Sequence, residues 1–140
     1  MFKKLNKLKE VLTTRQQTAV KSLLTTDIGC QKEIQAEHFL HLRGLTPLER
    51  NFRCKLGEID LIMRDHNYLV FVEVRFRRSA AYGRAAETID ERKQKKLQNA
   101  AQYYLQQHQL TETQLCRFDT LCIQGSGALQ EFEWVRNAFA

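Results

Sequence analysis

The chain has 140 residues, 22 Lys/Arg against 16 Asp/Glu, a net charge of +6 and 43% apolar residues. This is enough for one domain with its own core, and it lacks the low hydrophobicity of a disordered chain. No apolar run reaches the ~18 residues of a bilayer span and no apolar leader opens the chain; the four cysteines, Cys30, Cys54, Cys116 and Cys122, fall in no metal-binding spacing, so the expectation is a cytoplasmic protein with reduced thiols.

The charge is unevenly placed. Residues 1–24 hold six Lys/Arg against one Glu, and residues 50–96 hold twelve against seven acids. Basic clustering of this kind suits a polyanion-binding surface, though a solvated face has the same composition.

In chain order, residues 1–26 form a basic amphipathic N-terminal extension, with Phe2, Leu5, Leu8, Val11 and Leu12 at helical spacing. Thr25-Thr26-Asp27 can cap a second helix, predicted from Asp27 to Arg43 and stopped by Gly44. It opens a domain spanning residues 27–140. Glu33 shares a face with Ala36 and Leu40, so it either interrupts the buried stripe or lies at its edge and reaches water.

Thr46 to Arg53 reads as a first strand, and Cys54-Lys55-Leu56-Gly57 as a turn. Gly57–Asp65 and Leu69–Arg77 alternate and are rich in β-branched and aromatic residues, and the short polar link between them predicts an antiparallel hairpin. A symmetric hairpin centred between His66 and Asn67 sets Asp60 across from Glu73 and Glu58 across from Arg75, all four on one face. Like charges at such spacing repel. A divalent cation resolves the conflict economically, because Mg²⁺ takes oxygen ligands and keeps waters and a phosphate oxygen in its other positions.

A basic loop follows, with Arg77, Arg78 and Arg84, able to track a phosphate backbone or simply to be solvated. A long helix starts at Thr88-Ile89-Asp90-Glu91, which has capping-box spacing. Leu97, Ala101, Tyr104 and Leu105 make its buried stripe. Arg92, Lys93, Lys95 and Lys96 crowd its first turns, where cations oppose the helix dipole and a phosphate would relieve them. Two more strands, Leu115–Gln124 and about Leu129–Val135, close the chain; Arg117 and Asp119 share a face and can pair. The order helix, three strands, helix, two strands predicts an α/β sandwich with a mixed sheet.

Asp60 followed by Glu73-Val74-Arg75 resembles the D…(D/E)-x-K constellation of restriction-endonuclease-like nucleases. More closely, the chain resembles the YraN family of uncharacterised bacterial proteins, related to Holliday-junction resolvases. Gly29, Glu33 and Ala36 carry this resemblance, with Asn51 and Arg53, Gly57-Glu58-Ile59-Asp60-Leu61-Ile62, Phe71-Val72-Glu73-Val74-Arg75, Gly83, Lys93, Ala101 and Arg117-Phe118-Asp119. It covers nearly everything from Asp27 onward.

The resemblance implies a restriction-endonuclease-like sandwich, a central mixed β-sheet flanked by helices, and Mg²⁺- or Mn²⁺-dependent hydrolysis of phosphodiester bonds in DNA, branched or structured DNA included. It implies Glu33, Asp60, Glu73 and Arg75 as catalytic residues, with Asp60, Glu73 and the Val74 carbonyl as metal ligands. Arg53, Lys55, Arg77, Arg78, Arg84, Lys93 and Lys96 are the expected nucleic-acid contacts. Resolvase relatives act as dimers, so a homodimer is the matching expectation, although no segment of the sequence marks an interface.

Arg75 departs from the pattern, which has lysine there. A guanidinium stays protonated and cannot act as a base, but it can hold a phosphate or steady developing charge. It can also simply neutralise Glu58, and Lys93 or Lys96 can replace the missing lysine. The alternative is therefore a protein that binds nucleic acid or a partner on the same fold without cutting.

Overall fold

The computed structural model describes residues 14–79 and 88–140. Its elements among the described residues are α1 (Thr14–His41), β1 (Thr46–Cys54), β2 (Gly57–Asp65), β3 (Tyr68–Arg77), α2 (Glu91–Gln107), β4 (Leu115–Gln124) and β5 (Glu131–Phe139), with a 3-10 turn at Gly127–Leu129. By internal contacts the chain divides between Gln31 and Lys32, and the second unit, Lys32–Ala140, holds the sheet.

The five strands lie in sequence order. Neighbours run antiparallel except β3 and β4, which are parallel and joined through α2. A parallel pair needs such a crossover, since a tight turn cannot reverse the chain twice. This is the α/β sandwich with a mixed central sheet that the element order predicts.

Two cores cover the two faces. Ile59, Ile62, Leu69 and Phe71 meet Leu97, Ala100, Ala101 and Tyr104 of α2. Leu61, Met63, Val70, Val72, Leu121 and Ile123 meet Ala36 and Leu40 of α1. Both edge strands are irregular: β1 shifts register between Pro47 and Glu49, and β5 carries Asn137 at φ 51° opposite a register shift in β4. Bulges and edge charges of this kind discourage sheet-to-sheet pairing between copies.

Four boundaries differ from the sequence reading. Thr25-Thr26-Asp27 starts no new helix; α1 runs through it. A cap contributes only ~0.5–2 kcal/mol, so capping residues do not interrupt a helix whose neighbours favour continuation. The helix turns out after His41, with Gly44 at φ +102°. The cap of α2 is Asp90, whose Oδ1 accepts from Lys93 N at 2.8 Å, rather than Thr88. β5 begins at Glu131 and extends to Phe139. Arg84 with residues 80–87 of the basic loop, and residues 1–13 of the N-terminal extension, lie outside the described residues.

Gly57 brings β2 against α2. A Cβ there would meet the Lys96 carbonyl oxygen at 3.0 Å, so only glycine permits this approach without displacement. No helix among the described residues is long and apolar enough to cross a membrane.

Candidate active site

The β2–β3 ladder has the predicted register, from Asp65↔Tyr68 to Leu61↔Val72, and stops there. One step further, Asp60 and Glu73 face each other without pairing. Asp60 Oδ2 instead accepts the Val74 N–H at 2.8 Å, so its carboxylate lies in the gap where a ladder bond would have formed. An extended residue turns its N–H and C=O toward the same strand edge, which directs the Val74 carbonyl to this gap as well.

The same position is irregular on the other side. Between Arg50↔Leu61 and Phe52↔Ile59, Asn51 falls opposite Asp60, and its φ is 53°. Strict alternation is lost there. Leu61 and Met63 join the core under α1, whereas Ile59 and Ile62 both join the core under α2. The inside–outside phase of β2 therefore slips by one residue at Asp60, and that of β1 at Asn51, since Arg50 reaches Glu37 of α1 while Phe52 packs in the core under α2. This corrects the expectation that Glu58, Asp60, Glu73 and Arg75 share one face. Glu58 pairs with Arg53 of β1, Nε to Oε2 at 3.3 Å, and both groups are exposed enough that the pair adds at most ~1 kcal/mol.

With its carboxylate in the plane of the sheet, Asp60 is reached from both faces. The Glu73 carboxyl comes within hydrogen-bonding reach of Asp60, and Lys93 of α2 places Nζ 3.4 Å from Glu73 Oε1. From α1, Glu33 approaches closely enough for Asp60 to raise its pKa. Burial is the largest cause of raised pKa values in all three acids. For Glu73, burial and the Asp60 charge push it up to about 8, against the weaker opposing pull of Lys93. For Glu33, a hydrogen bond from the Asn51 side chain opposes the rise, while Oε2 is buried without any partner.

Two hollows adjoin Lys93. One, of about 450 Å³, is lined by Arg53, Lys55, Gly57, Glu58, Lys96 and Leu97. The other, of about 350 Å³, is lined by Glu73, Val74, Arg75, Arg77, Thr88 and Asp90. The carboxylate pair thus sits between two basic depressions.

Over residues 32–123 the chain matches the description "Uncharacterised protein family UPF0102". It belongs to that family. A UPF0102 protein of Saccharophagus degradans is 49% identical over 113 residues, covering 81% of this chain and 92% of the relative. One from Stutzerimonas stutzeri is 47% identical over 111 residues (79% and 92%), and one from Photobacterium profundum 49% over 106 residues (75% and 83%). This is the YraN family to which the sequence motifs pointed, and no activity is attached to these relatives' names.

In this UPF0102 chain the fold gathers Glu33, Asp60, Glu73, Val74 and Lys93, and ranges Arg53, Lys55, Lys96, Arg75 and Arg77 along the flanking hollows. Arg78 is exposed and lines neither hollow. Arg75 sits beside Cys122 in the parallel β3–β4 register. Sequence reasoning gave no structural role to Asn51, whose only signal is that asparagine tolerates a left-handed backbone better than most residues.

The donor set suits a hard divalent cation: two carboxyl groups facing each other at the end of a strand ladder, plus an orphaned carboxylate oxygen of Glu33 nearby. Among the described residues no three His, Cys, Asp or Glu side chains converge to ligand spacing. The protein's share of such a site would be the Asp60–Glu73 pair, with the Val74 carbonyl, waters and a phosphate oxygen to complete it.

Proposed function

We propose that this chain is a Mg²⁺- or Mn²⁺-dependent nuclease that hydrolyses phosphodiester bonds in DNA, with branched or structured DNA as its preferred class. One observation carries the reading: Asp60 and Glu73 face each other at a broken ladder position, Asp60 holding the Val74 N–H and Glu73 beside Lys93, next to two basic hollows. Two half-buried acids forced together destabilise the sheet unless something cationic is meant to join them.

Asp60, Glu73 and the Val74 carbonyl would hold the ion, with Glu33 Oε2 facing it from α1. When bound, the ion supplies Lewis-acid polarisation of a phosphoryl oxygen and a more acidic water. Lys93 supplies the ammonium that the Glu73-Val74-Arg75 motif lacks, arriving from α2 instead of β3. Its charge, 3.4 Å from Glu73, is placed to balance negative charge developing on the phosphate. Arg75 and Arg77 on one side, and Arg53, Lys55 and Lys96 on the other, hold the flanking phosphates. A second reading, binding without cutting, is favoured by Arg75 in the lysine position of the motif.

Labelled DNA and RNA single strands, duplexes and four-way junctions incubated with Mn²⁺ separate the two. The nuclease reading expects nicking of at least one substrate by the natural sequence and none by Glu73→Ala at matched folding. Equal cutting by both proteins would assign the activity to another site or a contaminant. Binding without any cutting would leave the second reading.

Affinity for DNA is also expected to fall steeply as salt rises. The double variant Lys55→Ala/Lys96→Ala should lower the log–log salt slope by about two, close to one released counterion per lost phosphate contact. An unchanged slope, measured by fluorescence anisotropy, would remove this hollow from the binding surface.

A further inference from the structure

Asn51 combines three features that a spacer in an edge strand does not need. It stands opposite Asp60, it holds a left-handed backbone at φ 53°, and its side chain hydrogen-bonds Glu33 across from α1. The strand phases on both β1 and β2 slip at this one row. Glu33 is left with one oxygen buried and unpartnered.

We propose that Asn51 is the positioning residue of this site: its left-handed turn lets β1 step past Asp60, and its side-chain amide fixes Glu33 so that Oε2 points toward the Asp60 carboxylate. The proposal rests on the nuclease reading in taking Glu33 as the third acid of the site. Asn51 itself touches neither ion nor substrate and acts through Glu33.

The physical logic separates backbone from amide. If only the left-handed conformation mattered, glycine would serve better, because it takes φ 53° without a steric cost. An amide donor matters because Glu33 is drawn out of water beside another acid, and a hydrogen bond to one carboxyl oxygen fixes the rotamer that leaves Oε2 unpartnered. Outer partners of this kind change metal affinity by about 10–100-fold when removed.

The test is a double-mutant cycle with Asn51→Gly and Glu33→Ala, read twice. In cation-free protein, thermal unfolding should show a drop for Asn51→Gly that disappears when Glu33 is already alanine. Calorimetric titration with Mn²⁺ should show Asn51→Gly binding about tenfold more weakly than the natural sequence, with no further loss in the Glu33→Ala background. Asn51→Gly that is neutral or stabilising, or effects that add, would overturn the proposal, because asparagine would then be a backbone choice alone. Were the natural sequence to bind no Mn²⁺, the nuclease reading would fall, and the cation-free cycle would still decide whether Asn51 holds Glu33.

Discussion

Mn²⁺ is expected to bind the Asp60–Glu73 pair about tenfold more tightly for each unit of pH gained from about pH 6 to about pH 8, and to level off above it. The cause is the raised pKa of Glu73. Glu73, ordinarily titrating near 4.5, is pushed up to about 8 by burial and by Asp60. An ion that needs both carboxylates charged must displace one proton, so its affinity follows the deprotonated fraction of the pair. Calorimetry at several pH values reads this directly. Glu73→Gln, which retains shape but has no proton to lose, should bind at least 100-fold more weakly at about pH 8 and lose the pH dependence. Flat affinity across the range, or an unaltered Glu73→Gln, would sink the assignment.

The same proton links stability to pH in the opposite sense. Below about 4.5 Glu73 is protonated in folded and unfolded chains alike, and its contribution is fully present. Between there and about 8 the folded chain binds more protons than the unfolded one, so stability of the cation-free protein falls as pH rises. Asp60 and Glu33 are shifted upward too and act in the same direction. Saturating Mn²⁺ should flatten this slope, since the ion takes over the role of the proton.

Much of this site is legible in the sequence. The two-residue turn at His66-Asn67, flanked by alternating apolar residues, fixes the hairpin register, and that register alone sets Asp60 opposite Glu73. The crowding of cations in the first turns of α2, odd for a helix N-terminus, finds one explanation in Lys93 reaching Glu73. Alternation, however, is a local rule. It could not foresee that Asn51 and Asp60 both break phase, because that break depends on β1, β2 and α1 meeting at one row. The face assignment of Glu58 failed for this reason. The missing helix start at Asp27 failed for another: a cap is a small local preference that an adjoining helix readily overrides.

Asp119→Ala is expected to destabilise the Lys32–Ala140 unit by about 3–5 kcal/mol, a loss of roughly 10–20 °C in Tm. Asp119 is fully buried. Its carboxylate accepts from Arg117 Nε at 3.0 and 3.2 Å, from Trp134 Nε1 at 2.9 Å and from the Asn137 N–H at 2.9 Å. Arg117 in turn reaches Asp65 Oδ2 at 2.8 Å. Asn137 is the left-handed residue of β5 at the place where the β4–β5 register shifts, so the carboxylate closes the bulge as well as neutralising the arginine. Removing it leaves a half-buried guanidinium short of one partner, and an indole N–H and a backbone N–H without acceptors, each costly to desolvate. Asp119→Asn retains acceptor oxygen for Trp134 or Asn137 and should lose about half as much. Asp119 is bound by Arg117, Trp134 and Asn137 and contacts none of the three site acids through these bonds, so both variants, held well below their Tm, should still bind Mn²⁺ with the pH dependence of the natural sequence. Denaturant unfolding alongside calorimetry distinguishes this from a role in the site. An Asp119→Ala protein that loses less than about 1 kcal/mol would show that the network is dispensable; one that remains folded yet loses Mn²⁺ would join Asp119 to the site.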